Sequence, residues 1–354
     1  MTNKDEDPNK KIPGEFYISS DEKDRIIDKF VSELLLQSEI IKKQRNAIDH
    51  YRKKLEEKEA GDPSIEIVVS QEETSYNDVG GLDDVLYKIK HFEYGMTHAG
   101  TYTHFGETPP KGLLMYGPPG CGKTMIAKAM SNELGCWFLE IPLSTIISEY
   151  VGKAEKNLNN ALKMAKKTYE DSGTKVMVFV DEAEQMFRKK GRNVGHEVID
   201  RCVNVWLRTM DGMGSNEGLI FVAATNYLES IEPALLRAGR FDYLIEIPKP
   251  TLAGVEDIFV KQMGVRERKA ERQIYCVSEI ENISGRMYDV GMTGADITEV
   301  LKRASLQCIR DCIENPIVKD IPTVTDSLLM KVINDYDRVQ KQKRKFGQSI
   351  SKKF

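Results

Sequence analysis

The chain has 354 residues, enough for two or three structural units, and its 40% apolar and 30% charged content suits a buried core under a charge-rich surface. A formal net charge of -4 gives no global basic field, which argues against a general nucleic-acid binder. No apolar run approaches the roughly 18 residues of a membrane span, the opening MTNKDEDPNKK is too polar for a secretory leader, and six cysteines without a CxxC pair read as reduced thiols, so a cytoplasmic location is expected.

Residues 1–20 are polar, contain Pro8, Pro13 and Gly14, and read as a disordered lead-in. From 21 to 60 the pattern changes. Ile27, Leu34, Ile41, Ile48 and Leu55 recur every seven residues, and Phe30, Gln37, Gln44, Tyr51 and Lys58 follow three later. One apolar seam and one mixed seam, uninterrupted by proline or glycine, predict a coiled coil; a long amphipathic helix folded against its own domain is the alternative. Gly61-Asp62-Pro63 stops that helix, and within the linker 61–75 a short extended stretch from Ile65 to Val69 reads as linker or strand.

Between 76 and 250 apolar strands alternate with amphipathic helices: Gly112 to Tyr116, Trp137 to Ile141, Val176 to Val180, Leu219 to Ala223 and Leu244 to Ile247. Such alternation predicts an α/β fold with a parallel sheet covered on both faces. Residues 251–340 show helical periods without strand alternation, which predicts a smaller helical domain. The lysine- and arginine-rich tail 341–354 reads as a solvated end.

The run Gly117-Pro118-Pro119-Gly120-Cys121-Gly122-Lys123-Thr124 lies between the strand ending at Tyr116 and a helical stretch from Thr124 to Leu134. That is the context a phosphate-binding loop requires: glycines let backbone N–H groups converge on phosphate oxygens, and the helix N-terminus adds its positive dipole. Lys123 places a cation at the β/γ-phosphates, Thr124 offers a hydroxyl to Mg²⁺, and Cys121 is a passive member of the loop. Downstream, the strand Val176 to Val180 ends in Asp181-Glu182. Beside a phosphate loop, Asp181 is expected to hold Mg²⁺ partly through water and Glu182 to act as the general base on the attacking water. The expected ligands are therefore ATP and Mg²⁺, and the expected activity is ATP hydrolysis.

At this point the chain resembles the AAA family of hexameric ATPases, the branch that includes proteasomal ATPases, segregases, FtsH and the katanin/spastin group. The resemblance covers Tyr76 to Asp311 and rests on further ordered pieces. Tyr76-Asn77-Asp78-Val79-Gly80-Gly81 is similar to the segment whose backbone around Asp78 and Gly80 brackets the adenine. Asn226, after Ala223-Ala224-Thr225, matches the polar sensor of the γ-phosphate. Ile231 to Asp242 is similar to the second region of homology, in which Arg237 and Arg240 match a pair of arginine fingers. Gly291 to Ile297 resembles the lid turn that touches nucleotide through Gly294 and Ala295. The resemblance implies a P-loop sheet domain followed by a helical lid. It also implies a cofactor-binding set of Asp78, Gly80, Pro118, Pro119, Gly120, Cys121, Gly122, Lys123, Thr124, Met125, Gly294 and Ala295.

The tripeptide Tyr150-Val151-Gly152 occupies the slot of the family's first pore loop, where an aromatic face grips varied side chains with little loss of rotamer entropy. Arg188 to His196 falls where a second pore loop would lie, and Asp211-Gly212 matches a subunit-contact turn. The resemblance therefore implies a homo-oligomer, a hexamer, that unfolds, translocates or remodels protein substrates, with the coiled coil recruiting substrate or adaptor. An assembly or disassembly factor that does not thread its partner is one alternative, and a nucleic-acid-associated motor is another. Departures are visible. Phe259 stands where relatives often carry a ribose-contacting histidine, Ala183-Glu184 replaces Ile/Ala-Asp after the acidic pair, and the chain ends Ser351-Lys352-Lys353-Phe354 without the proteasome-docking motif. His196-Glu197 lacks a second histidine at the spacing of an FtsH-type zinc site.

Overall fold

A computed structural model describes residues 69–142, 153–189, 197–212, 218–314 and 323–351. The lead-in 1–20, the coiled-coil segment 21–60 and the pore tripeptide Tyr150-Val151-Gly152 lie outside the described residues.

Six strands form one sheet: β1 (Val69–Ser70), β2 (Gly112–Tyr116), β3 (Trp137–Glu140), β4 (Val176–Val180), β5 (Leu219–Thr225) and β6 (Tyr243–Glu246), in the order β1-β3-β4-β5-β2-β6. The five from β2 to β6 are parallel, with Leu114 opposite Ala223 on one side and Leu244 on the other. Every residue of β4 and β5 is buried, which is why these strands read as continuous apolar runs. The edge differs from the all-parallel expectation. β1 runs antiparallel to β3, pairing Val69 with Leu139 and Ser70 with Phe138. A two-residue strand is too short for side-chain alternation to announce its direction.

Helices cover both faces. On one, α1 (Asp83–Thr97) and α3 (Lys123–Glu133) bury Val85, Leu86, Ile89 and Phe92, and Ile126, Ala127 and Met130, against Leu113, Met115, Phe138 and Phe179. Between these two helices in sequence lies the short α2 (Ala99–His104). On the other face, α4 (Lys153–Ser172) buries Ala154, Leu158, Ala161, Leu162 and Ala165 at helical spacing. Beside it α6 (Glu197–Asp211) inserts Trp206, whose ring meets Phe221 of β5 edge-on at 5.4 Å. Full burial of each such side chain stabilises by roughly 1.5–3 kcal/mol. A short helix, α5 (Ala183–Met186), follows β4 directly.

The C-terminal helices α7 (Leu252–Ala270), α8 (Ile280–Val290), α9 (Gly294–Glu314) and α10 (Asp326–Ser351) share a second core around Phe259, Met287, Leu301 and Ile333. This layer is called the lid below. It departs from the sequence expectation in three ways. Two-residue strands β7 (Tyr275–Cys276) and β8 (Val324–Thr325) pair in parallel within it, again too short to show a period. Helix α10 continues past residue 341 to Ser351, because lysine, arginine and glutamine are good helix formers and a basic composition does not by itself end a helix. Phe259 is fully buried in the lid core and cannot stand in for a nucleotide-facing histidine; its neighbour Ile258 lies against Gly80 of the large domain. Among the described residues no helix is long and apolar enough to cross a membrane.

Candidate nucleotide site

The C-terminal ends of β2, β4 and β5 deliver three loops to one place, as open α/β sheets do where connections diverge to opposite sides. From β2 comes the glycine-rich loop, which ends as Gly122 caps α3 in the left-handed conformation. No side chain caps that helix, so its first-turn N–H groups point at a prospective anion. Gly120 has φ +75°, and a Cβ there would lie 2.6 Å from Thr293 Oγ1 of the lid, so glycine is required by conformation and by space. Its carbonyl accepts from Ala295 N at 3.1 Å, placing Gly294 and Ala295 against the loop. Burial raises the Cys121 thiol, whose Sγ rests 3.8 Å from the Pro119 carbonyl, so the sulfur stays protonated and inert. Met125 packs at the edge of the sheet core in the first turn of α3.

Lys123 is buried, and its ammonium donates to the Gly117 carbonyl (2.8 Å), the Pro118 carbonyl (2.8 Å) and Asn226 Oδ1 (2.9 Å). Desolvation lowers its pKa, with Cys121, Asp181 and Glu184 opposing the shift. An ammonium has three N–H donors, so all three are engaged, and a phosphate must displace at least one of these acceptors. Thr124 Oγ1 donates to Asp181 Oδ2 at 2.5 Å. A hydroxyl and a carboxylate oxygen brought together at the mouth of the loop form the hard-oxygen pair that suits Mg²⁺. The cradle, the lysine and this pair fit a magnesium-bound nucleoside triphosphate.

Glu182 is exposed and is one of two non-glycine residues with positive φ among the described residues, at 47°. Its Oε2 accepts from Gln185 Nε2 of α5, which leaves Oε1 open. Residues 113–249 match the model of the family described as ATPase family associated with various cellular activities (AAA). That stretch is similar to an AAA domain. That match supports ATPase activity in general terms, and the site just described falls within it except for the lid residues and the segment around Asp78.

That segment is tied to the lid. Asp78 Oδ1 pairs with Arg268 Nη2 at 2.6 Å, and Asp78 Oδ2 accepts from Ser75 N at 3.0 Å. Both carboxylate oxygens of Asp78 are thus engaged within the chain. Gly81 N donates to Asp257 Oδ2 at 2.8 Å, and Lys261 Nζ donates to the Val79 carbonyl at 2.8 Å. Gly80 lies against α7 so closely that a Cβ would sit 2.7 Å from Ile258 Cα.

The two arginines are separated by the structure. Arg240 donates from Nε to Asp211 Oδ1 and from Nη2 to Asp211 Oδ2, both at 2.8 Å, and from Nη1 to the Ala234 carbonyl. This fork holds the Asp211 carboxyl below its usual range. Arg237, at the end of the 3₁₀ turn Pro233–Leu236, is exposed and has no acid partner among the described residues. Pairing of Arg240 within its own chain was not legible in sequence, where both arginines read alike.

In the sequence Glu184 stands out only as a departure from the family pattern. The structure brings its carboxylate onto Asn226: Oε1 accepts from Asn226 Nδ2 at 3.2 Å, and Oε2 from Asn226 N at 3.3 Å and Thr225 Oγ1 at 2.6 Å. An acid two residues beyond the base on a short helix was the available signal. Beside this corner, Tyr116, Gly117, Pro118, Pro119, Asn226, Tyr227, Leu228 and Glu229 line a cleft of about 540 Å³. Of the second pore-loop stretch, Arg188 and Lys189 are described; Arg188 bridges Ile231 and Lys189 N donates to Ser230 O.

Proposed function

We propose that this chain is one subunit of a ring-shaped, hexameric AAA ATPase that couples ATP hydrolysis to unfolding, translocation or remodelling of protein substrates. The observation that carries the reading is an asymmetry. The phosphate loop, the Thr124–Asp181 pair, Glu182 and Asn226 assemble within one chain, while Arg237 stands exposed and, among the described residues, without an acid partner. Such an arginine suits a finger offered to the site of a neighbouring copy, where cationic charge stabilises the transferring phosphoryl group. Head-to-tail contacts of that kind close into rings.

In this reading Gly117 to Thr124 hold the phosphates, the backbone around Asp78 and Gly80 together with Gly294 and Ala295 encloses the nucleoside, and Lys123 leaves its present acceptors, Asn226 Oδ1 among them, for the β/γ-phosphates. Thr124 and Asp181 would hold Mg²⁺, which neutralises charge on the phosphate oxygens when bound. Glu182 accepts the proton of a water as its oxygen bonds to the γ-phosphorus; the bond to the bridging oxygen breaks and ADP departs. Tyr150-Val151-Gly152 would grip the polypeptide, and the N-terminal coiled coil would recruit substrate or adaptor.

The test compares wild type with Tyr150→Ala. The variant is expected to hydrolyse ATP at a comparable rate while losing ATP-driven unfolding of a fluorescent protein bearing an unstructured tail. Unfolding undiminished in Tyr150→Ala would refute threading.

A further inference from the structure

The hydrogen bonds at the end of β5 fix which way the Asn226 side-chain amide faces. Its Oδ1 meets the Lys123 ammonium at 2.9 Å, and its Nδ2 meets Glu184 Oε1 at 3.2 Å. Exchanging the two ends of the amide would set NH₂ against an ammonium and a carbonyl against a carboxylate, two repulsions in place of two attractions. A γ-phosphate that draws Lys123 away removes one of these anchors and leaves only Glu184. The same carboxylate also binds the Asn226 N–H and the hydroxyl of fully buried Thr225, so it rests on a rigid strand end.

We propose that Glu184 is a positioning residue that keeps the Asn226 amide turned for γ-phosphate recognition after Lys123 has been taken by the nucleotide. One Nδ2–H faces Glu184 and the second remains for a phosphate oxygen. Glu184 sits on α5 two residues after Glu182, so the orientation of the sensor amide and the placement of the base are set by one short helix. The inference rests on Asn226 acting as the γ-phosphate sensor.

The experiment uses the full chain carrying Glu184→Gln, Glu184→Asp, Asn226→Ala or the Glu184→Gln/Asn226→Ala pair. Affinities for fluorescent ADP and for a slowly hydrolysed ATP analogue are measured, together with kcat and KM for ATP. Glu184→Gln, which keeps the shape and removes the charge, is expected to bind ADP within about twofold of wild type and to lose about tenfold both in preference for the ATP analogue and in kcat, the scale of one hydrogen bond to a charged acceptor. Glu184→Asp keeps both acceptor oxygens and is expected within about threefold of wild type, which also provides a reading should Glu184→Gln fold poorly. The double variant is expected to be no worse than Asn226→Ala alone, since the two residues act as a unit.

Three outcomes overturn the proposal: unchanged discrimination and kcat in Glu184→Gln, Glu184→Asp as impaired as Asn226→Ala, or a double variant whose losses multiply. Wild-type behaviour of Asn226→Ala would instead sink the sensor reading beneath it, whatever Glu184 does.

Discussion

Replacing Arg240 with alanine tests whether this arginine serves the fold while Arg237 serves as the proposed finger. The side chain is 17% exposed, and it links the end of α6 to the 3₁₀ turn through Asp211 and the Ala234 carbonyl. Asp211 is 55% exposed, so solvent screens the ion pair and most of the loss comes from elsewhere. The carbonyl bond contributes about 1 kcal/mol, and the buried aliphatic stem adds packing. The expected loss is about 2 kcal/mol, or about 4–6 °C in melting temperature for a unit of this size. Arg237→Ala removes an exposed side chain and should alter stability by less than about 0.5 kcal/mol, yet as a finger it should lower turnover by up to about 10³. Thermal melts and phosphate release on both variants, with Asp211→Ala to close the cycle, give the comparison. If Arg240→Ala melts with wild type, or Arg237→Ala melts as low as Arg240→Ala should, the division of roles is wrong.

Glu182→Gln is expected to bind ATP while hydrolysing it at least about 10²-fold more slowly, measured by single-turnover phosphate release; normal turnover would remove it as the base. Gly120→Ala drives a methyl into Thr293 and demands a left-handed alanine. It should weaken nucleotide affinity at least about tenfold, whereas Gly106→Ala, at φ +74° with open space around it, should cost about 1 kcal/mol of stability and leave binding intact. Asp337 is held below the usual carboxylate range, first by Lys341 and then by Arg286. A depressed folded pKa gives stability that is complete above the unfolded value near pH 4 and lost as pH falls through the lower folded value. Melting between about pH 6 and 8 should therefore not report this cluster, and Asp337→Asn should flatten only the acid limb of a stability profile.

The parts legible from sequence share one property: their geometry is local. A strand followed by Gly117 to Thr124 and a helix specifies an anion cradle because the converging N–H groups belong to consecutive residues. The buried strand ending in Asp181-Glu182 is equally local. The central strands were legible because covering both sheet faces leaves an unbroken apolar run, whereas β7 and β8 were hidden by their length.

Sequence alone determined the glycine-rich loop between strand and helix, the acidic pair and the alternation of strands and helices that makes a parallel sheet. Tertiary structure decided how those groups are held. Glu184 meets Asn226 across 42 residues of chain, Arg240 meets Asp211 across 29, Gly81 meets Asp257 across 176 and Asp78 meets Arg268 across 190. Identical arginines in one turn acquire different partners, and Phe259 turns into the lid core while Ile258 turns toward Gly80. Such outcomes depend on which surfaces meet when the sheet and the lid pack, and no periodicity within a single segment encodes them.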